Sequence, residues 1–166
     1  MKLSKDGTLS LGITYGYTFA DNVLVDPNTV GELSSLIDIE DVCVGSLLFD
    51  LACCACFKES EDTMTSKYPQ VLDFALLEAL LEGYGTELKL PTMETQHFAP
   101  YIRLTLLCNC FLRFVKFYVD ITATDVPDPE EAKNSYLELK RQIDFLHDSD
   151  VVQKIQNLIE AAVDIL

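Results

Sequence analysis

The sequence predicts a mostly α fold, a bundle of five to six helices preceded by an N-terminal β-strand or small hairpin. Three observations carry that expectation. Residues 8–19 alternate without exception, with Leu9, Leu11, Ile13, Tyr15, Tyr17 and Phe19 on one side, which is the signature of a strand with one apolar face. Most later segments repeat their apolar residues at helical spacing, as in Val151, Val152, Ile155, Leu158, Ile159 and Ala162. Hydrophobic residues make up 49% of the 166, enough to build a sizeable core, and this length suits one domain. We therefore read 1–166 as a single domain, with 1–25 as the strand or hairpin segment and 26–166 as the helical bundle.

Lys5-Asp6-Gly7 reads as a turn, so that Met1 to Ser4 fold back on the start of the long strand. Ala20-Asp21-Asn22 reads as a second turn, with Val23-Leu24-Val25 as a short returning strand. Asp26-Pro27 then resembles a helix start, with proline at the first helical position, and predicts a helix to about Ile37. A second helix is expected from Asp38 or Asp41 through Phe57. A third is capped by Ser66 and stopped by Gly83 or Gly85, and a short strand over Glu87 to Leu90 follows it. Pro100 opens the fourth helix. There Thr105, Asn109, Arg113, Lys116 and Asp120 project into a stripe about 80° wide, so this helix is expected to be covered on most sides. Asp128-Pro129-Glu130-Glu131 caps the fifth, with Tyr136, Leu139, Ile143 and Leu146 as its apolar stripe. His147-Asp148-Ser149 turns the chain into the last helix, expected to pair with the fifth as an antiparallel hairpin.

The net charge is −15, from 27 acids and 12 bases. A surface this acidic repels nucleic acid and anionic lipid, so neither direct nucleic-acid binding nor a membrane is expected. The most apolar stretch, Ala99 to Thr122, is interrupted by Arg103, Asn109, Arg113, Lys116 and Asp120 and does not qualify as a membrane span. The opening residues lack the apolar run of a secretory leader. Cys43, Cys53, Cys54, Cys56, Cys108 and Cys110 all lie in apolar helix-like segments, as small core residues of a reduced, cytoplasmic protein would. On a helix Cys54 and Cys56 point about 160° apart, so a zinc site is not expected there.

No catalytic motif stands out. His97 and His147 read as surface residues, and the acidic runs at Asp38–Asp41 and Glu59–Asp62 read as caps and solvated loop. No phosphate-binding glycine loop, G-x-S-x-G or H-E-x-x-H is present. The expectation is accordingly non-enzymatic: an acidic, intracellular protein–protein interaction module that inhibits or scaffolds, without cofactor or metal. Two alternatives stand beside it, a cysteine-dependent metal-binding regulator or enzyme, and an acidic nucleic-acid mimic. The long strand has little sheet to join, so its unguarded edge suits a second chain, with a homodimer favoured over a foreign partner. The partner-binding candidates are Leu9, Leu11, Ile13, Tyr15, Tyr17 and Phe19, together with Arg113 and Lys116, the basic stripe of an acidic chain.

Overall fold

The computed structural model describes residues 2–3, 9–16, 18, 22–29, 31–56, 72–119 and 129–164. The fold is mostly α, as expected, with small antiparallel sheets in its N-terminal third. Strand β2 (Ser10–Thr14) is the middle of a three-stranded sheet, between β1 (Lys2–Leu3) and β5 (Cys43–Ser46). The fold-back of the N-terminus is therefore present, with Lys2 opposite Leu11 and Leu3 opposite Ser10. The other edge of β2, expected to be open, is occupied over Leu11–Thr14 by β5, while β1 reaches only Ser10 and Leu11 on the first.

The expected helix over 26–37 is instead a hairpin, β3 (Val23–Val25) and β4 (Leu33–Leu36). The Asp-Pro signal serves a β-turn rather than a helix. The Thr29 N–H donates to the Asp26 carbonyl (3.3 Å), and the Asp26 carboxylate accepts the Asn28 N–H (2.8 Å). Gly31 then takes φ +82, which lets the chain return. The second expected helix is likewise shortened. Residues 43–46 pair with β2, and α1 covers only Leu47–Ala55. Helix α2 (Phe74–Glu87) is capped by Asp73, whose carboxylate accepts the Ala75 and Leu76 N–H groups (2.9 and 3.2 Å). It runs through Gly83 and includes Glu87, so no strand forms over 87–90. The expected cap Ser66 lies outside the described residues, as does Asp128.

The short α3 (Thr92–Thr95) leads into the long α4 (Phe98–Tyr118), followed by α5 (Pro129–Phe145) and α6 (Ser149–Asp164). One core joins Leu48 and Leu51 of α1, Leu77 and Leu81 of α2, Phe98 and Ile102 of α4, Leu146, and Ile155 and Ile159 of α6. The last two helices do not pair as a simple hairpin. α5 lies along α4, whereas α6 packs on α2, α3 and α4. Nor is α4 covered on most sides: its polar Thr105 is 1% exposed while Phe111 is 64% exposed. No helix among the described residues is long and apolar enough to cross a membrane.

Burial along β2 is the reverse of the expectation. Ser10 and Thr14 are buried, and Ile13 is 78% exposed opposite Val44, itself exposed. The inward side carries hydrogen bonds rather than apolar bulk. Ser10 donates its N–H (2.5 Å) and its hydroxyl to Glu94 Oε1, and Thr14 Oγ1 donates to the Cys43 carbonyl (3.2 Å). Between them Gly12 faces Leu47: a Cβ there would meet Leu47 Cδ2 at 2.7 Å. Glycine is what lets α1 sit this close to the sheet.

Candidate functional site

The chain leaves β2 at Thr14 and is gripped at once by Asp50 on α1. One carboxylate oxygen of Asp50 accepts the Tyr15 N–H (2.7 Å) and the other the Gly16 N–H (2.8 Å), while its carbonyl accepts the Thr18 hydroxyl (2.9 Å). Charge-assisted bonds of this kind are about twice as strong as neutral ones, so this carboxylate fixes the course of the turn. Gly16 has φ +86, and a Cβ on it would lie 2.8 Å from the Asp41 carbonyl oxygen. Both facts require glycine, and together they wedge the turn between α1 and a single 3-10 turn, Ile39–Asp41.

Beyond this turn the chain enters the β3–β4 hairpin at Asn22, which is 7% exposed, and leaves it at Asp38. The register places Val23 opposite Leu36, and the Ile37 N–H donates to the Asn22 carbonyl (3.0 Å). Asn22 and Asp38 are thus carried to the same end of the hairpin, although 16 positions separate them in sequence. Asp38 adopts φ 62, ψ 55, a left-handed conformation that costs a non-glycine residue on the order of 1 kcal/mol and that clusters at functional sites. It stays exposed, as do Glu40 and Asp41 after it. Residues 6–57 contain eight acids and no Lys or Arg, so the potential around this end is negative throughout.

A buttressed glycine turn, an asparagine at the start of a hairpin and an aspartate at its end are thus gathered in the N-terminal third of the chain. In protein kinases an asparagine and a second aspartate hold magnesium, and a carboxylate base stands five residues before that asparagine. Residues 4–95, more than half of the chain, match the phosphotransferase enzyme family (APH), and the chain belongs to that family. This finding corrects the expectation of a non-catalytic interaction module with a regulatory or inhibitory role, and with it both alternatives, the cysteine-dependent regulator and the nucleic-acid mimic. The absence of recognised motifs was a weak basis for excluding chemistry, because residues such as Asn22 and Asp38 reach one end of the hairpin only through strand pairing.

Among the described residues, the candidates on and beside β2 differ in burial. Leu9 and Leu11 are half-buried, Leu9 against the core; Tyr15 is buried, and Ile13 stands outside. Tyr17 and Phe19 lie outside the described residues. Arg113 and Lys116 belong to α4, where their positions share the helical face of Thr105 and Asn109. The residues that were missed are Gly16, Asn22, Asp38 and Asp50. Their signal was present in the sequence as Asn22-Val-Leu-Val-Asp26 followed by Ile37-Asp38.

Three of the cysteines, Cys53, Cys54 and Cys56, sit on or at the end of α1 and are largely buried. Burial pushes the Cys53 thiol up to about 12 from 9.0, against a hydrogen bond from Thr105 that lowers it. Burial raises Cys54 and Cys56 as well. Thiols held neutral in this way are poor nucleophiles. Among the described residues no three His, Cys, Asp or Glu side chains gather as a metal group.

Proposed function

We propose that this chain binds a magnesium–nucleotide at the Asn22–Asp38 end of the hairpin and transfers its terminal phosphoryl group to an acceptor. The observation that carries the proposal is the placement of Asn22 and Asp38 together by the Ile37–Asn22 hydrogen bond. An amide oxygen and a carboxylate are hard oxygen donors, and two protein ligands suit magnesium, which keeps waters and substrate phosphates as its remaining ligands. When bound, the ion neutralises the charge that develops on the phosphate oxygens. Asp50 holds the turn that leads toward position 17, and Asp38 is exposed in a left-handed conformation at the end of the hairpin.

One position departs from the kinase pattern. Tyr17 stands five residues before Asn22, where that pattern has a carboxylate base. A phenol does not replace a carboxylate as a general base in this role. The loose transition state of phosphoryl transfer needs little help from a base, so transfer is expected to be slow rather than lost. Six free cysteines fit the reducing cytoplasm as its compartment.

The test is a titration of ATP with and without magnesium, paired with release of radiolabelled phosphate. Magnesium should tighten nucleotide binding, and Asp38→Asn or Asn22→Ala should abolish that tightening. Tyr17→Asp should raise turnover at least tenfold, the low end of a general-base contribution allowing for imperfect geometry. Nucleotide binding that ignores both magnesium and Asp38 would refute the reading.

A further inference from the structure

Helix α4 turns an apolar side to the outside. Leu104 (45%), Leu107 (49%), Phe111 (64%), Leu112 (57%) and Val119 (62%) are exposed, while Thr105 on its inner face is buried. At 100° per residue these five, with the exposed Cys108, fill an arc of about 140°. The three basic positions, 103, 113 and 116, fall outside that arc, and Arg103 is turned toward His147, 3.2 Å away. No charged position of α4 therefore falls within the arc. A contiguous apolar surface of this kind is uncommon on a monomer and marks an interaction site.

We propose that the arc is the interface of a two-fold dimer in which α4 of one copy lies antiparallel against α4 of the next. Charge selects a second copy over other occupants. The chain carries −15 overall, yet Phe98 to Val119 contains no Asp or Glu. Two copies meeting here bring no acid on this helix against acid. A basic partner is drawn instead to the acidic run at 6–57, and an acidic one finds no cation on the arc. Area agrees. The five side chains expose roughly 550 Å² on one chain, so two copies can bury up to about 1,100 Å², the size at which specific interfaces begin, roughly 1,000 Å². The arrangement is also self-complementary, as a two-fold contact must be. With the axis between Phe111 and Leu112, Leu104 of each copy meets Val119 of the other, along about 22 Å of helix.

This inference is independent of the nucleotide site and is tested by mass in solution. Sedimentation velocity at micromolar concentration should give twice the 18.6 kDa chain mass. Phe111→Glu combined with Leu112→Glu sets four carboxylates at the axis and should return the monomer with an unchanged circular dichroism spectrum, because both residues are exposed. Should the double variant aggregate, Leu104→Glu at the end of the arc must still weaken the dimer about tenfold. Ile13→Glu, at an equally exposed apolar residue on the sheet, should leave the dimer intact. The proposal fails if the wild-type chain is a monomer, if the dimer survives the α4 changes, if Ile13→Glu disrupts it equally, or if the chain sediments as a monomer bound to phosphatidylcholine vesicles.

Discussion

In α6 the buried residues are Ile155 and Ile159, and Gln153, Asn157 and Glu160 face water; in β2 the buried residues are Ser10 and Thr14, and Ile13 faces water. Both elements alternate as their geometry demands. They differ in what waits on the inner side. α6 meets the apolar surfaces of α2 and α4, so its apolar stripe turns in. β2 meets Glu94, the Cys43 carbonyl and the close-packed Leu47, so its small polar side turns in and supplies hydrogen bonds. Periodicity establishes that an element has two faces, and the neighbour decides which of them is buried.

The comparison can be broken by substitution, beginning with the largest effect. Thr14→Asp should cost about 4 kcal/mol or more, because it removes a donor and places a carboxylate against a carbonyl in a buried site. Chemical denaturation reads this directly, and a loss under about 1 kcal/mol would mean that β2 is turned the other way. Ile159→Ala should cost about 2–5 kcal/mol through the cavity it leaves in the core. The same denaturation curve should keep its slope while its midpoint falls. Glu94 sharpens the contrast, since it is fully buried and its Oε2 has no hydrogen-bond partner among the described residues. Glu94→Ala orphans two Ser10 donors and should cost about 2–3 kcal/mol, whereas Glu94→Gln keeps one acceptor and should stay within about 1 kcal/mol of wild type. Equal losses in the two variants would show that the charge itself, and not the acceptor, holds β2. The smallest effect belongs to Ile13→Asp, which should shift stability by about 0.5 kcal/mol or less because the side chain already stands in water.

The helical half of the fold was legible because capping and periodicity act over a few residues. The fifth and sixth helices and much of the fourth follow from Pro129, the apolar stripe of α6 and Pro100. The segment from 26 to 46 was not. Asp26-Pro27 suits a helix start and a turn equally well, and only the pairing of Val25 with Leu33 distinguishes them. Likewise β5 looks helical by composition and becomes a strand because β2 offers it a partner. The site was hidden for the same reason. Asn22 and Asp38 are unremarkable separately, and their proximity depends on the hairpin that local signals misread. Asp50 looked like an ordinary acid inside an apolar helix, because a bond to a backbone 35 residues away leaves no local trace.

The grip of Asp50 on Tyr15 and Gly16 also ties the timing of the site to that of the helix. The described amide bonds of Tyr15 and Gly16 span 35 and 34 residues. These two bonds therefore form when α1 docks, after a long loop has closed. The amide protons of Tyr15 and Gly16 should exchange with solvent at the rate at which α1 opens, and not at the faster rate of a fraying loop. A motion that lifts α1 from the sheet dismantles the turn beside the proposed nucleotide site, so the helix and the turn form one cooperative unit.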